Sequence, residues 1–242
     1  MDALGVLCFT FETAEQVATL GGVANLVDIL KAPSCTRKLQ ITTFKAIVGL
    51  AHTPLEEVQY KAAGAMRDLA VNDFYKKEIA AFKGIEVLIQ LVNQGGEHTK
   101  GQAAAALRTL SLNSFNRLYV CNQKGVHALC AALYQRSNRC LTQVVGALWN
   151  LTHETRCVKV MVELEIAERM VYLSRSPYEE VRELAVGCVR SLSLLDASFR
   201  KEVVKISKHE ILHQDTTKDC NTGGRFPEAY IFKWTDEKAS IY

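Results

Sequence analysis

Two sets of residues have the types and the spacing to do chemistry. The first is His209-Glu210-Ile211-Leu212-His213, which fits H-E-x-x-H. On a helix, histidines four apart face the same way and can share a zinc ion, with the glutamate as general base. Extending the pattern, Thr216 stands where one class of such hydrolases needs glycine, and Asp219 where its third ligand falls; Glu228 and Glu237 are further candidate ligands. Against a zinc-dependent hydrolase, under thirty residues follow the motif, and nothing before it reads as the sheet that would hold a substrate. A motif without its structural context is weak, so His209 and His213 are read as helix-surface residues that meet by chance. The sequence holds no Walker motif, no G-x-S-x-G and no convincing Cys-His pair. The expectation is a chain that is no enzyme and needs no cofactor.

The second set is Arg67, Arg108, Trp149 and Arg190, which recur at a fixed interval of 41 residues. Each has a tiny residue three positions earlier: Gly64, Ala105, Gly146 and Gly187. Arginine and tryptophan are the types that anchor interfaces, and the small neighbours are expected to leave room for a ligand backbone. Lys61 and Asp68 fall on the same helix face as Arg67, Thr109 beside Arg108, and Asn150 beside Trp149. The bland alternative is solvated helix surface, salt-bridged to adjacent units, because surface charge alone says little. The regular recurrence favours a partner-binding groove.

What positions these residues is a repeated helix. AAGAMRDLAVN from Ala62 returns as AAAALRTLSLN from Ala103, VVGALWNLTHE from Val144 and AVGCVRSLSLL from Ala185. Its inward positions keep their character: Ala65, Ala106, Ala147 and Cys188 are small. Met66, Leu107, Leu148 and Val189 are large and apolar, as are Leu69, Leu110, Leu151 and Leu192. A small residue with large ones one and four positions on makes one apolar stripe packed closely on its neighbours. Self-similarity at this period predicts an all-α stack, an α-solenoid.

The upstream residues repeat as well. Phe74 to Ile79 and Phe115 to Val120 read as a short first helix, and Gly84-Ile85 and Gly125-Val126 as a sharp turn into a second. Glycine suits that corner because it accepts positive φ and lets helices approach closely. Glu165 is read as standing where the third copy should have its glycine, which predicts a looser corner there. Gly21 to Leu30 resembles the "GG-x-x-x-LV-x-LL" second helix of the armadillo repeat family, and Ala62 to Leu69 its "AA-x-AL-x-NL" third helix. The resemblance covers roughly residues 1 to 205. It implies an armadillo-type α-solenoid, a right-handed superhelix of three-helix repeats whose third helices line a concave groove. It also implies a non-enzymatic scaffold or adaptor that takes an extended peptide or a helix. Importin-α uses a tryptophan and an asparagine four apart on successive third helices. Here Gly64, Ala105, Gly146 and Gly187 hold the tryptophan places, and only Asn150 matches the asparagine, so nuclear-signal binding is not carried over. The arginines look more like the groove of β-catenin and its relatives, which implies acidic extended segments as partners, diluted here by Asp68 and Glu183.

The expected organisation is a solenoid over residues 1–208 and an irregular, polar tail over 209–242. The solenoid divides into an incomplete first repeat, an irregular region 33–72, regular units 73–112, 114–153 and 155–195, and a lone helix 197–207. In the irregular region Leu50 and Leu69 mark two candidate third helices too close together. Either half a repeat is missing or residues 33–51 double as first and second helices. At the start, Leu4, Leu7 and Phe9 place the chain inside a repeat, an open face through which self-association is expected. With 48% apolar and 23% charged residues the composition is that of ordinary globular material. A net charge of +3 is too small to point to nucleic acid, and a helical array binding it is disfavoured. The 8 cysteines include no C-x-x-C pair; Cys8, Cys130 and Cys188 fall at apolar helix positions. That usage suits a reducing cytoplasm or nucleus, and no stretch is apolar enough to span a membrane.

Overall fold

The computed structural model describes residue 16, residues 20–32 and residues 34–214, the last six as backbone only. The expectations for Leu4, Leu7 and Phe9, and for the tail beyond 214, lie outside the described residues. Within them the chain is helical throughout, without a strand.

Three complete units stack in order. The first is α4 (Asp73–Ala81), α5 (Gly84–Gln94) and α6 (Glu97–Leu110). The second is α7 (Ser114–Asn122), α8 (Gly125–Ala132) and α9 (Asn138–Leu151). The third is α10 (Thr155–Glu163), α11 (Ala167–Leu173) and α12 (Glu179–Leu195). Each first helix starts at a capping residue of the same phase. The side chain of Asn72 accepts from the Phe74 amide, that of Asn113 from Phe115 and Asn116, and that of Glu154 from Arg156. Such a cap satisfies otherwise orphaned amides and stabilises a helix by about 1 kcal/mol.

The corner between first and second helices differs from the expectation. The residue in left-handed conformation is the one before each glycine: Lys83 at φ 62° and Lys124 at φ 61°. Gly84 and Gly125 are there for closeness. A Cβ on Gly84 would lie 2.6 Å from Ile79 Cγ2 and 2.9 Å from the Ile79 carbonyl, and one on Gly125 equally close to Val120. Glu165, at φ 52°, therefore aligns with the two lysines, and Ile166 holds the place of the glycines. The turn itself is kept. With a side chain at 166, the second helix begins one residue later and has only 7 residues, against 11 and 8 in the other units.

The third helices form the spine. α6 packs on α9, α9 on α12, and α6 also on α3 (Glu56–Leu69). Their inward stripe is buried as the repeats predict, from Ala65, Met66 and Leu69 to Cys188 and Leu192, with Val189 only half-buried. Burying each large side chain contributes about 1.5–3 kcal/mol. Polar ties cross between units on the outer side. Asn116 Nδ2 donates to the Lys76 carbonyl at 3.2 Å, joining α7 to α4. Arg169 donates from Nε and Nη2 to the Leu133 carbonyl at 2.9 and 2.8 Å, its guanidinium over the rings of Tyr134 and Tyr172.

At the start of the described stack stand α1 (Gly22–Lys31), α2 (Arg37–Ala51) and then α3. α2 packs along α3 and reaches α5, as α5 itself packs on α6 and reaches α8. It also meets the next first helix: Phe44 stacks on Phe82 at 5.7 Å and tilts against Tyr75 at 5.8 Å. Arg37 pairs with Glu78 at 2.8 Å. This one helix touches both the first and the second helix of the unit that follows. At the far end, α13 (Ala197–Gln214) buries Phe199 and Val203 against α11 and α12. It runs past the expected end at 207, so 209–214 are helical and not irregular; nothing between Lys208 and Gln214 is a helix breaker. Among the described residues no helix is long and apolar enough to cross a membrane.

Candidate partner-binding groove

Successive third helices bring four of the expected residues to one place. An open depression of about 310 Å³ is lined by Arg67 from α3, Ala105, Arg108 and Thr109 from α6, Leu112 just beyond it, and Gln143 and Asn150 from α9. Lys61, Asp68 and Trp149 lie on the same helices but outside that lining, and Arg190 lies on the next third helix, α12. Lys61 is tied to Glu57 one turn earlier, at 2.8 Å.

The polar lining side chains are held by a neighbouring unit or by their own helix. Arg67 donates from Nη1 to Gln102 Oε1 and from Nε and Nη2 to Asp68 Oδ1 at 2.9 and 2.7 Å. The carboxylate pair is about half exposed and adds little stability; it fixes where the guanidinium points. Arg108 donates to Gln143 Oε1 at 3.3 Å. Asn150 Nδ2 donates to the Arg108 carbonyl at 2.9 Å, and Thr109 Oγ1 to the Ala105 carbonyl at 3.0 Å. In these bonds Asn150 uses its amide nitrogen and not its carbonyl oxygen, and Arg108 uses Nη1 of its side chain.

The small residues do something other than leave room for a ligand backbone. A Cβ on Gly146 would meet Arg108 Nε at 2.5 Å, and one on Gly187 would meet the Trp149 ring at 2.8–3.1 Å. Ala105 is buried, and only Gly64 has nothing closer than 3.9 Å. The glycines are seats for the preceding unit's large side chain. Trp149 is also pinned by its Nε1, which donates to Ser191 Oγ at 3.2 Å. It is thus a half-buried strap between α9 and α12, not a free-standing anchor.

Leu112 escaped the sequence reading, though its signal was present: Val71, Leu112, His153 and Leu194 share one register. All but the histidine are exposed large apolar side chains. His209 and His213 fall on α13, and their side chains lie outside the described residues. Among the described residues no three His, Cys, Asp or Glu groups converge as metal ligands would.

The buried cysteines among the described residues are poor nucleophiles. Burial pushes the Cys130 thiol up to about 12 and those of Cys157 and Cys188 higher still, whereas a reactive thiol needs its thiolate favoured. A brief pulse of iodoacetamide on the native chain is expected to alkylate half-buried Cys35 and Cys121. Cys130, Cys140, Cys157 and Cys188 should react only as fast as the chain unfolds. Rapid labelling of any of these four, mapped by peptide mass spectrometry, would contradict the packing described.

Stacked three-helix units with a spine of third helices define the class: an all-α, armadillo-type solenoid. More particularly, residues 115–153, essentially the second complete unit, match the model of the armadillo/β-catenin-like repeat family. No curated protein sequence matches the chain at a significant level. Among solved structures, an engineered protein superposes with a TM-score of 0.71 at 20% identity, over 91% of this chain and 93% of its own. A designed armadillo repeat protein in complex with the peptide (KR)4 gives 0.69 at 16%, over 84% and 87%. A structure concerned with a phosphorylation switch between cadherin and β-catenin gives 0.69 at 19%, over 86% of this chain but 39% of the other. At these identities the likeness is one of fold.

Proposed function

We propose that this chain is a non-enzymatic, protein-binding scaffold whose partner lies along α3, α6, α9 and α12 as an extended segment or a helix. The observation that carries the reading is the convergence of Arg67, Arg108, Thr109 and Asn150, from three successive third helices, on one open depression. Two guanidiniums held from behind by glutamines suit a carboxylate-bearing partner, since a pre-positioned donor loses little freedom on binding. Similar folds support peptide or protein binding in general: one designed armadillo repeat protein is in complex with the basic peptide (KR)4, and another neighbour's structure concerns the interaction between cadherin and β-catenin. Free, buried thiols fit the cytoplasm or the nucleus as the place of work.

The test compares partner capture by the intact chain with that of an Arg67→Glu, Arg108→Glu double variant. Both side chains are at least partly exposed and outside the apolar core, so the melting temperature should stay within about 3 °C. Capture of acidic partners should fall at least about tenfold, the effect of losing one well-placed charged contact. Undiminished capture of every partner by the folded variant refutes the groove reading.

A further inference from the structure

Beside the depression, the rim of the solenoid carries an apolar patch that the groove reading does not use. At the junction of α3 and α4, Val71 is 74% and Phe74 48% exposed; at that of α6 and α7, Leu112 is 59% and Phe115 79% exposed. The two pairs stand one repeat apart. In the next unit the same places hold His153 and Arg156, so the patch is two units wide and then stops. Adjacent third helices pack about 8–10 Å apart, which makes it wide enough for a few side chains of one short segment. Isolated exposed apolar residues need no explanation, but a contiguous set with a polar rim marks an interaction site. Leu112 also lines the depression with Arg67 and Arg108, so apolar patch and positive charge adjoin.

We propose that this patch is covered by the chain's own residues 226–234, Phe-Pro-Glu-Ala-Tyr-Ile-Phe-Lys-Trp, which lie outside the described structure. The tail is polar as a whole, yet these nine residues include five large apolar ones: Phe226, Tyr230, Ile231, Phe232 and Trp234. Laid out extended, alternate residues share a face. That face reads Phe226, Glu228, Tyr230, Phe232 and Trp234: four aromatics and one carboxylate, the complement of Val71, Phe74, Leu112 and Phe115 next to Arg67 and Arg108. The reach suffices. α13 begins at the same rim, and its 18 residues carry its end about 27 Å away at 1.5 Å per residue. From α12 back to α6 is two helix spacings, about 20 Å. The sixteen residues from 215 to 230 span up to about 55 Å. Being tethered, the segment needs only modest intrinsic affinity, because attachment supplies an effective concentration in the millimolar range.

The experiment places the photo-cross-linking residue p-benzoylphenylalanine at position 115 of the full chain. The chain is irradiated, digested with trypsin and analysed by mass spectrometry. Trypsin cuts after Arg225 and Lys233 and so releases residues 226–233 as one peptide. That peptide is expected attached to the α7 fragment, and mixing with isotopically heavy chain should leave the link within one molecule. Val71→Lys with Leu112→Lys should cut the yield about tenfold, with melting unchanged because both side chains are exposed. Links that join light to heavy chains would assign the patch to a second copy, and links that avoid 226–233 would assign it to another occupant; either overturns the proposal. The result is independent of the Arg67→Glu, Arg108→Glu capture assay, so each reading can fail alone.

Discussion

Gly125→Ala is expected to lower the melting temperature by about 6–10 °C, equivalent to about 2–3 kcal/mol in a chain of this size. A methyl group there would meet Val120 Cγ1 at 2.5 Å, the Val120 carbonyl at 2.9 Å and Ile89 Cδ1 at 3.0 Å. The carbonyl belongs to the last turn of α7, so relief requires moving one helix off another rather than turning a side chain. Lys124→Gly should act oppositely. Lys124 sits at φ 61°, a conformation that costs an L-residue about 1 kcal/mol, and glycine removes that strain. Thermal melts of the two variants side by side decide the matter. If Gly125→Ala proves neutral and Lys124→Gly destabilising, the glycine is there for its backbone freedom and the close-packing account is wrong.

Trp149→Ala should be nearly as costly, at about 2–3 kcal/mol. The change uncovers Gly187, on which the ring lies, and leaves Ser191 without its indole donor. Trp149→Phe should recover most of the loss, since it keeps an aromatic body over the seat. The comparison also separates packing from recognition. A partner lost in the alanine variant but kept in the phenylalanine one is held by the strap's shape. A partner lost in both needs the indole itself. Equal melting of wild type and Trp149→Ala would show that the ring is not seated as described.

The spine was readable from the amino acids because its logic is local: Ala65-Met66 and Leu69 lie within one turn and a half, and the same grammar returns at 106, 147 and 188. The first-helix caps at Asn72, Asn113 and Glu154 are just as local, though they were not read as caps from the sequence. What else escaped was non-local. Gly146 and Gly187 are conspicuously small, but the side chains that fill them come from 38 residues upstream, and smallness alone does not say what occupies the space. Lys83 and Lys124 escaped for another reason: beside a glycine, lysine is not the residue one assigns to a left-handed turn. Residues 33–51 stayed ambiguous because the single helix there, α2, has the period of any buried helix, which does not say which helix of a repeat it is. Of the groove, Arg67, Arg108, Thr109 and Asn150 could be placed from their register. Leu112 could have been, by following the interval one position past the helix end.

The seating of one unit's large side chain on the next unit's glycine has a consequence for anyone cutting or recombining this chain. The positions of Arg108 and Trp149 are written half in their own unit and half in the following one. A boundary drawn at the start of a first helix, the natural place to splice, separates each side chain from its seat. A transplanted segment ending at 153 would carry Trp149 without Gly187 and Ser191, and would present the indole differently from the parent. The transferable element is therefore an overlapping pair of third helices.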